Sequence, residues 1–96
     1  MHYDIISFRL LQGRRIELKF KDGCKGVFDL SPRLDQGRIG GVFDALCDAK
    51  LFRKVKLVDG VLTWPGEIDV APDALWQDIK RDGVAYLEPS AARMAA

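Results

Sequence analysis

Histidine is almost missing from this chain: one residue, His2, stands in 96. A nucleophile paired with an internal imidazole is therefore not available. Cysteine is equally scarce, with Cys24 and Cys47 separated by 22 intervening residues and no CxxC spacing. Together with one terminal histidine they assemble no convincing zinc ligand set. No apolar run approaches the ~20 residues of a membrane-spanning helix. An excess of one charge is lacking too, because 15 Lys and Arg face 14 Asp and Glu, for a net charge of +1. That balance is too even for the basic footprint of a typical nucleic-acid binder. The opening residues Met1-His2-Tyr3-Asp4 show neither a basic n-region nor an apolar h-region. The expectation is a reducing cytoplasm and two unbonded thiols filling partly buried sites.

What is present describes a small folded domain. Apolar residues make up 48% and charged residues 30% of the chain, with only 4 Pro, which excludes disordered and collagen-like classes. The length fits one domain. Residues 1–87 are read as a single α+β domain and 88–96, Ala-rich and without period, as a loosely ordered tail. Charge is unevenly distributed along the chain: residues 1–25 hold six basic and three acidic groups, residues 66–82 two basic and five acidic.

Residues 3–30 read as three strands. Ile6, Phe8 and Leu10 alternate with polar residues, as do Ile16, Leu18 and Phe20, so even numbers face inward. A three-residue loop Leu11-Gln12-Gly13 sets Phe8 opposite Ile16 and Ile6 opposite Leu18, with Gly13 last, where a left-handed residue is needed. The loop Lys21-Asp22-Gly23 likewise pairs Ile16 with Phe28 and Phe20 with Cys24. An antiparallel β-meander with one apolar face follows, and that face needs cover.

Ser31-Pro32 ends the third strand and opens a helical turn, with Ser as the expected cap. Gly37, Gly40 and Gly41 permit only short helices over 32–53, one of them capped by Asp48. A second β-hairpin turns at Asp59-Gly60 and pairs Leu57 with Leu62 and Val55 with Trp64. Pro65-Gly66 breaks it. Pro72 opens a C-terminal helix with Leu75, Trp76 and Ile79 as its apolar stripe, ending near Gly83. Beyond it, Tyr86 and Leu87 are expected to dock on the body.

Phe28-Asp29-Leu30-Ser31-Pro32, then Phe43, Leu46, Asp48, Phe52 and Val55, then Trp64-Pro65-Gly66 through Asp69-Val70-Ala71-Pro72-Asp73-Ala74-Leu75-Trp76, stand in this order and spacing. Over residues 3–80 the chain resembles a family of small bacterial proteins catalogued only as a domain of unknown function. The resemblance implies a small α+β domain, found alone or fused to a helix-turn-helix domain. It also implies genes that lie in toxin–antitoxin-like or regulatory pairs. It carries no catalytic residue over to this chain.

Candidate chemistry is thin. Gly37-Arg38-Ile39-Gly40-Gly41 lacks the Lys-Ser or Lys-Thr and the strand–helix context of a phosphate loop, and a connector is the better reading. Glu67, Asp69 and Asp73 offer paired carboxylates for a small hydrolase or a metal-assisted one. A helix start explains Asp69 and Asp73 more simply. Trp76, at the margin of the helical stripe, either closes the core or anchors an interface. Val27, Val58 and Val61 sit on outward strand faces and hint at a covered surface or an edge used for pairing. Arg9, Arg14, Arg15, Lys19, Lys21 and Lys25 favour weak DNA binding but read more simply as a solvated strand face. The expectation is a non-enzymatic protein-interaction or regulatory module without cofactor or metal, antitoxin-like or accessory, with a protein partner or a second copy of itself. Its candidate surface is Trp76, Asp73, Asp69, Glu67, Val27, Val58 and Val61. Nucleic acid and membrane are not expected as partners.

Overall fold

A computed structural model describes residues 3–87; His2 and the expected tail 88–96 lie outside the described residues. The elements run β1 (Ile5–Leu10), β2 (Arg15–Phe20), β3 (Lys25–Asp29), α1 (Ser31–Leu34), a 3-10 helix (Val42–Cys47), α2 (Ala49–Phe52), β4 (Lys56–Val58), β5 (Val61–Trp64), β6 (Ile68–Asp69), α3 (Pro72–Asp82) and β7 (Val84–Tyr86). The class is α+β. One sheet has the order β1-β2-β3-β7, the other β4-β5-β6.

The alternating pattern of β2 and β3 decides the first sheet. Ile16, Leu18, Phe20 and Phe28 are all fully buried, and the β2–β3 register pairs Ile16 with Phe28 and Leu18 with Gly26, as the loop length predicts. In β1–β2 the register differs from expectation by two residues: Leu10 faces Ile16 and Phe8 faces Leu18. The expected register would have set Arg9 against Arg15, a like-charge pair that costs stability. The observed one sets Arg9 against Glu17, with an ion pair at 3.2 Å. A shift of two keeps every side chain on its face, so the assignment of inward residues survives.

One inward residue does not. Ile5, not Ile6, pairs with Phe20, and the register shifts between Ile5 and Ser7, so Ile6 is the extra residue of a β-bulge. Ile5 is buried and Ile6 is 52% exposed. The bulge lies where β1 meets the second sheet, through the Ile5 N–H donating to the Gly60 carbonyl at 3.1 Å.

The apolar side of this sheet is covered by α3, whose Leu75 and Ile79 are buried, and by the second sheet, which contributes Leu62, Trp64 and Ile68. Gly26 is where helix and sheet touch most closely. A Cβ there would stand 2.5 Å from Ile79 Cγ2 and 2.6 Å from the Gly83 carbonyl oxygen, so glycine is required by contact. The hairpin pairs Leu57 with Leu62 through Asp59 and Gly60, both left-handed, as a two-residue loop of this type demands. The Trp64 indole N–H donates to the Phe52 carbonyl at 2.8 Å, which satisfies it inside the core.

Three local expectations are corrected. Pro65-Gly66 leads through a turn into β6, so the hairpin is a three-stranded sheet. Val84–Tyr86 forms β7, parallel to β3, and adds a fourth strand to the meander. Ser31 does not cap α1; it is the first helical residue, and its N–H donates to Asp29 Oδ1 at 2.9 Å. Asp48 does cap α2, accepting from the Lys50 N–H.

Candidate functional surface

The residues singled out from sequence do not gather in one place. Asp69 ends β6, and Glu67 occupies the left-handed turn before it. Asp73 lies in the first turn of α3, whose N-terminal flanking residue is Ala71, so Asp69 is a strand residue and not the helix start expected of it. Among the described residues no three His, Cys, Asp or Glu side chains group as a metal site. Val58 and Val61 face each other across the β4–β5 turn, Val58 being exposed. Val27 belongs to the other sheet.

Trp76 is half-buried against the core. Its indole N–H donates to Asp22 Oδ2 at 2.9 Å, and the Lys80 ammonium lies 4.6 Å from the ring centroid. Asp22 Oδ1 also accepts from the Cys24 N–H, which shapes the β2–β3 turn. The tryptophan therefore ties α3 to that turn. Leu75 and Ile79 fill the core, and Trp76, about 100° around the helix, closes its margin.

The connector from 37 to 41 is held by a feature that pattern reading missed. Asp44 accepts from the N–H groups of Ile39 (3.2 Å) and Gly40 (2.7 Å) and pairs with Arg33 at 3.0 Å. Arg33 is 4% exposed and also donates to the Gly40 carbonyl. The Arg33 hydrogen bond holds the Asp44 carboxyl below the ordinary carboxylate range, aided by the two backbone N–H groups and opposed by partial burial. The would-be phosphate loop thus already carries an anion of its own chain. Arg33, directly after Ser31-Pro32, gives no such signal in the sequence, because only the fold brings position 44 to it. Arg14 is similarly diverted: it donates to the carbonyls of Leu46 (3.1 Å) and Cys47 (2.8 Å) instead of joining a solvated strand face. Neither cysteine is in a disulfide; both are half-buried, and the Cys47 thiol donates to the Leu34 carbonyl at 3.7 Å.

The other basic strand residues do share a surface. The registers align three rows across the side of the first sheet that faces away from the core. One row is Ser7, Lys19, Lys25. The next is Arg9, Glu17, Val27, Val84, and the last is Arg15, Asp29, Tyr86. Val27 and Val84 are half-buried and Tyr86 is 47% exposed. A notch of about 150 Å³ opens between the first two rows. A second depression of about 230 Å³ lies between the β1–β2 turn and α2, lined by Leu10, Arg14, Phe52 and Arg53.

Fold and surface together define a small α+β domain whose first sheet is covered on one side by α3 and the second sheet and on the other by no described element. The chain belongs to the family described as Protein of unknown function (DUF2442), whose model matches residues 5–81. No curated protein and no solved structure matches it. Among the described residues no helix is long and apolar enough to cross a membrane.

Proposed function

We propose that this domain is a non-enzymatic protein-interaction module, the antitoxin-like or regulatory member of a two-protein pair, and that it works in the cytoplasm. The observation that carries the reading is the open side of the β1-β2-β3-β7 sheet. There two valines lie side by side, Val27 against Val84, with exposed Tyr86 in the next row and charged residues around them. An apolar strip inside a charged rim is the composition of a protein-binding surface. The two-gene habit implied by the family resemblance supplies the kind of partner.

The four cations Arg9, Arg15, Lys19 and Lys25 on the same side favour nucleic acid as the second reading. Glu17 and Asp29 interrupt them, and Arg9 is already paired with Glu17. The deciding experiment is capture of partners by the tagged protein from extract of its own cells, with and without nuclease, using wild type and Val27→Asp. A recurrent protein that survives nuclease and is lost on Val27→Asp supports the module. Recovery of nucleic acid alone, abolished by raised salt, replaces it with the nucleic-acid reading.

A further inference from the structure

The corner of the open side at the β1 bulge combines three features that stability alone does not explain. Lys19 and Lys25 are directly opposite one another on β2 and β3. Like charges so placed are destabilising, and neither lysine forms an ion pair with a described residue. Ser7 continues the same row on β1, and the notch is lined by these three side chains with Arg9 and Glu17. At the edge of the row the bulge leaves Ile6 52% exposed, where unbroken alternation from Phe8 and Leu10 would have turned it inward. Bulges of this kind re-aim a side chain.

We propose that this corner binds an acidic, amphipathic segment of a partner protein, with its carboxylates on Lys19 and Lys25 and an apolar side chain on Ile6. The inference rests on the open side being an interaction surface and names the chemistry it selects. Directly opposed residues on antiparallel strands have Cα atoms ~4.5–5.5 Å apart, so two ammonium groups reach one carboxylate, and the Ser7 hydroxyl adds a donor. Charge complementarity assigns the partner its sign. The apolar elements, Ile6 at the corner and Val27 and Val84 one row on, assign it to protein. A nucleic-acid strand would ask for stacking rings beside the cations. The one aromatic residue in these rows, Tyr86, stands in the row furthest from the lysines.

The test is a titration of the ¹⁵N-labelled full chain, followed by amide chemical shifts. The probes are the blocked pentapeptide Glu-Val-Glu-Val-Glu, its Gln-Val-Gln-Val-Gln counterpart and a single-stranded deoxyoligonucleotide. The Glu peptide is expected to give saturable shifts centred on Ile6, Ser7, Lys19 and Lys25, and the Gln peptide to bind about tenfold more weakly or less. Lys19→Glu makes an opposite-charge pair with Lys25, so it is expected to leave the melting temperature unchanged or raised while abolishing the peptide shifts. Ile6→Ser is expected to weaken binding severalfold. Equal binding of the Gln peptide, shifts centred elsewhere, no saturation at millimolar peptide, or tighter oligonucleotide binding at the same amides would each overturn the assignment. The first three outcomes leave the interaction module intact, because partner capture and its loss on Val27→Asp are read separately.

Discussion

The two sides of the first sheet are built from the same strands and do opposite things. On the inner side Ile16, Leu18, Phe20 and Phe28 reach zero exposure beneath α3 and the second sheet. On the outer side the alternating positions carry lysines, arginines, two valines and a tyrosine, and no described element covers them. One side is constrained by volume, because a core at crystal-like density resists any change of size. The other is constrained by charge and composition. The inner side therefore reports how the chain folds, and the outer side is free of that volume constraint.

The largest effect that sharpens this contrast is truncation of the inner side. Phe28→Ala or Leu18→Ala should cost on the order of 2–5 kcal/mol, whereas Val27→Ala, one residue away on the outer side, should cost far less. Urea midpoints at constant m-value check both. Equal losses would erase the distinction between the sides.

Gly26→Ala probes the tightest contact of the inner side, and a loss of about 1–3 kcal/mol is expected from overpacking. Adding Ile79→Ala should restore little, because the Gly83 carbonyl oxygen still blocks the new Cβ. Full rescue by the double variant would show that the side chain alone sets the spacing of helix and sheet.

Asp44→Asn tests the ion pair and backbone hydrogen bonds that fix the glycine connector. The Asp44 pKa is lowered in the folded chain. Its stabilisation is thus present above the unfolded pKa and lost as pH falls through the folded one. Wild type should exceed the variant in stability at neutral pH, and the gap should close in acid. A gap that widens on acidification would contradict the sign. Trp76→Phe removes the indole donor to Asp22 and should cost about 1 kcal/mol, read by thermal melting. Smallest of all, Lys19→Glu should shift stability by a few tenths of a kcal/mol in the favourable direction.

Reading the chain alone recovers some of this and misses the rest for definite reasons. The β2–β3 register, the Asp59-Gly60 hairpin, the Asp48 cap and the span of α3 were legible because each depends on residues within a few positions of one another. The β1–β2 register was misjudged by two because hydrophobic alternation repeats every second residue and does not distinguish such shifts. The Arg9–Glu17 pairing does. β6 and β7 are two and three residues long, too short to carry a period. The outer surface was only half legible: Val27 was identified, but Tyr86 and Val84 join it through a parallel pairing that no local pattern announces. Ile6 was assigned inward because nothing in the alternation marks a bulge.

By itself, then, the sequence determined the local elements, since turn chemistry, capping and alternation act over a few residues. It also determined the α+β class and the identity of the inward face of β2 and β3. The tertiary structure decided which distant groups meet: Arg33 with Asp44, Arg14 with the Leu46 and Cys47 carbonyls, Trp76 with Asp22, and β7 with β3. The first two depend on where the 3-10 helix settles, and the last two on how α3 closes over the first sheet. That closure is set by summed burial of the whole core, and burial carries no information about sequence separation.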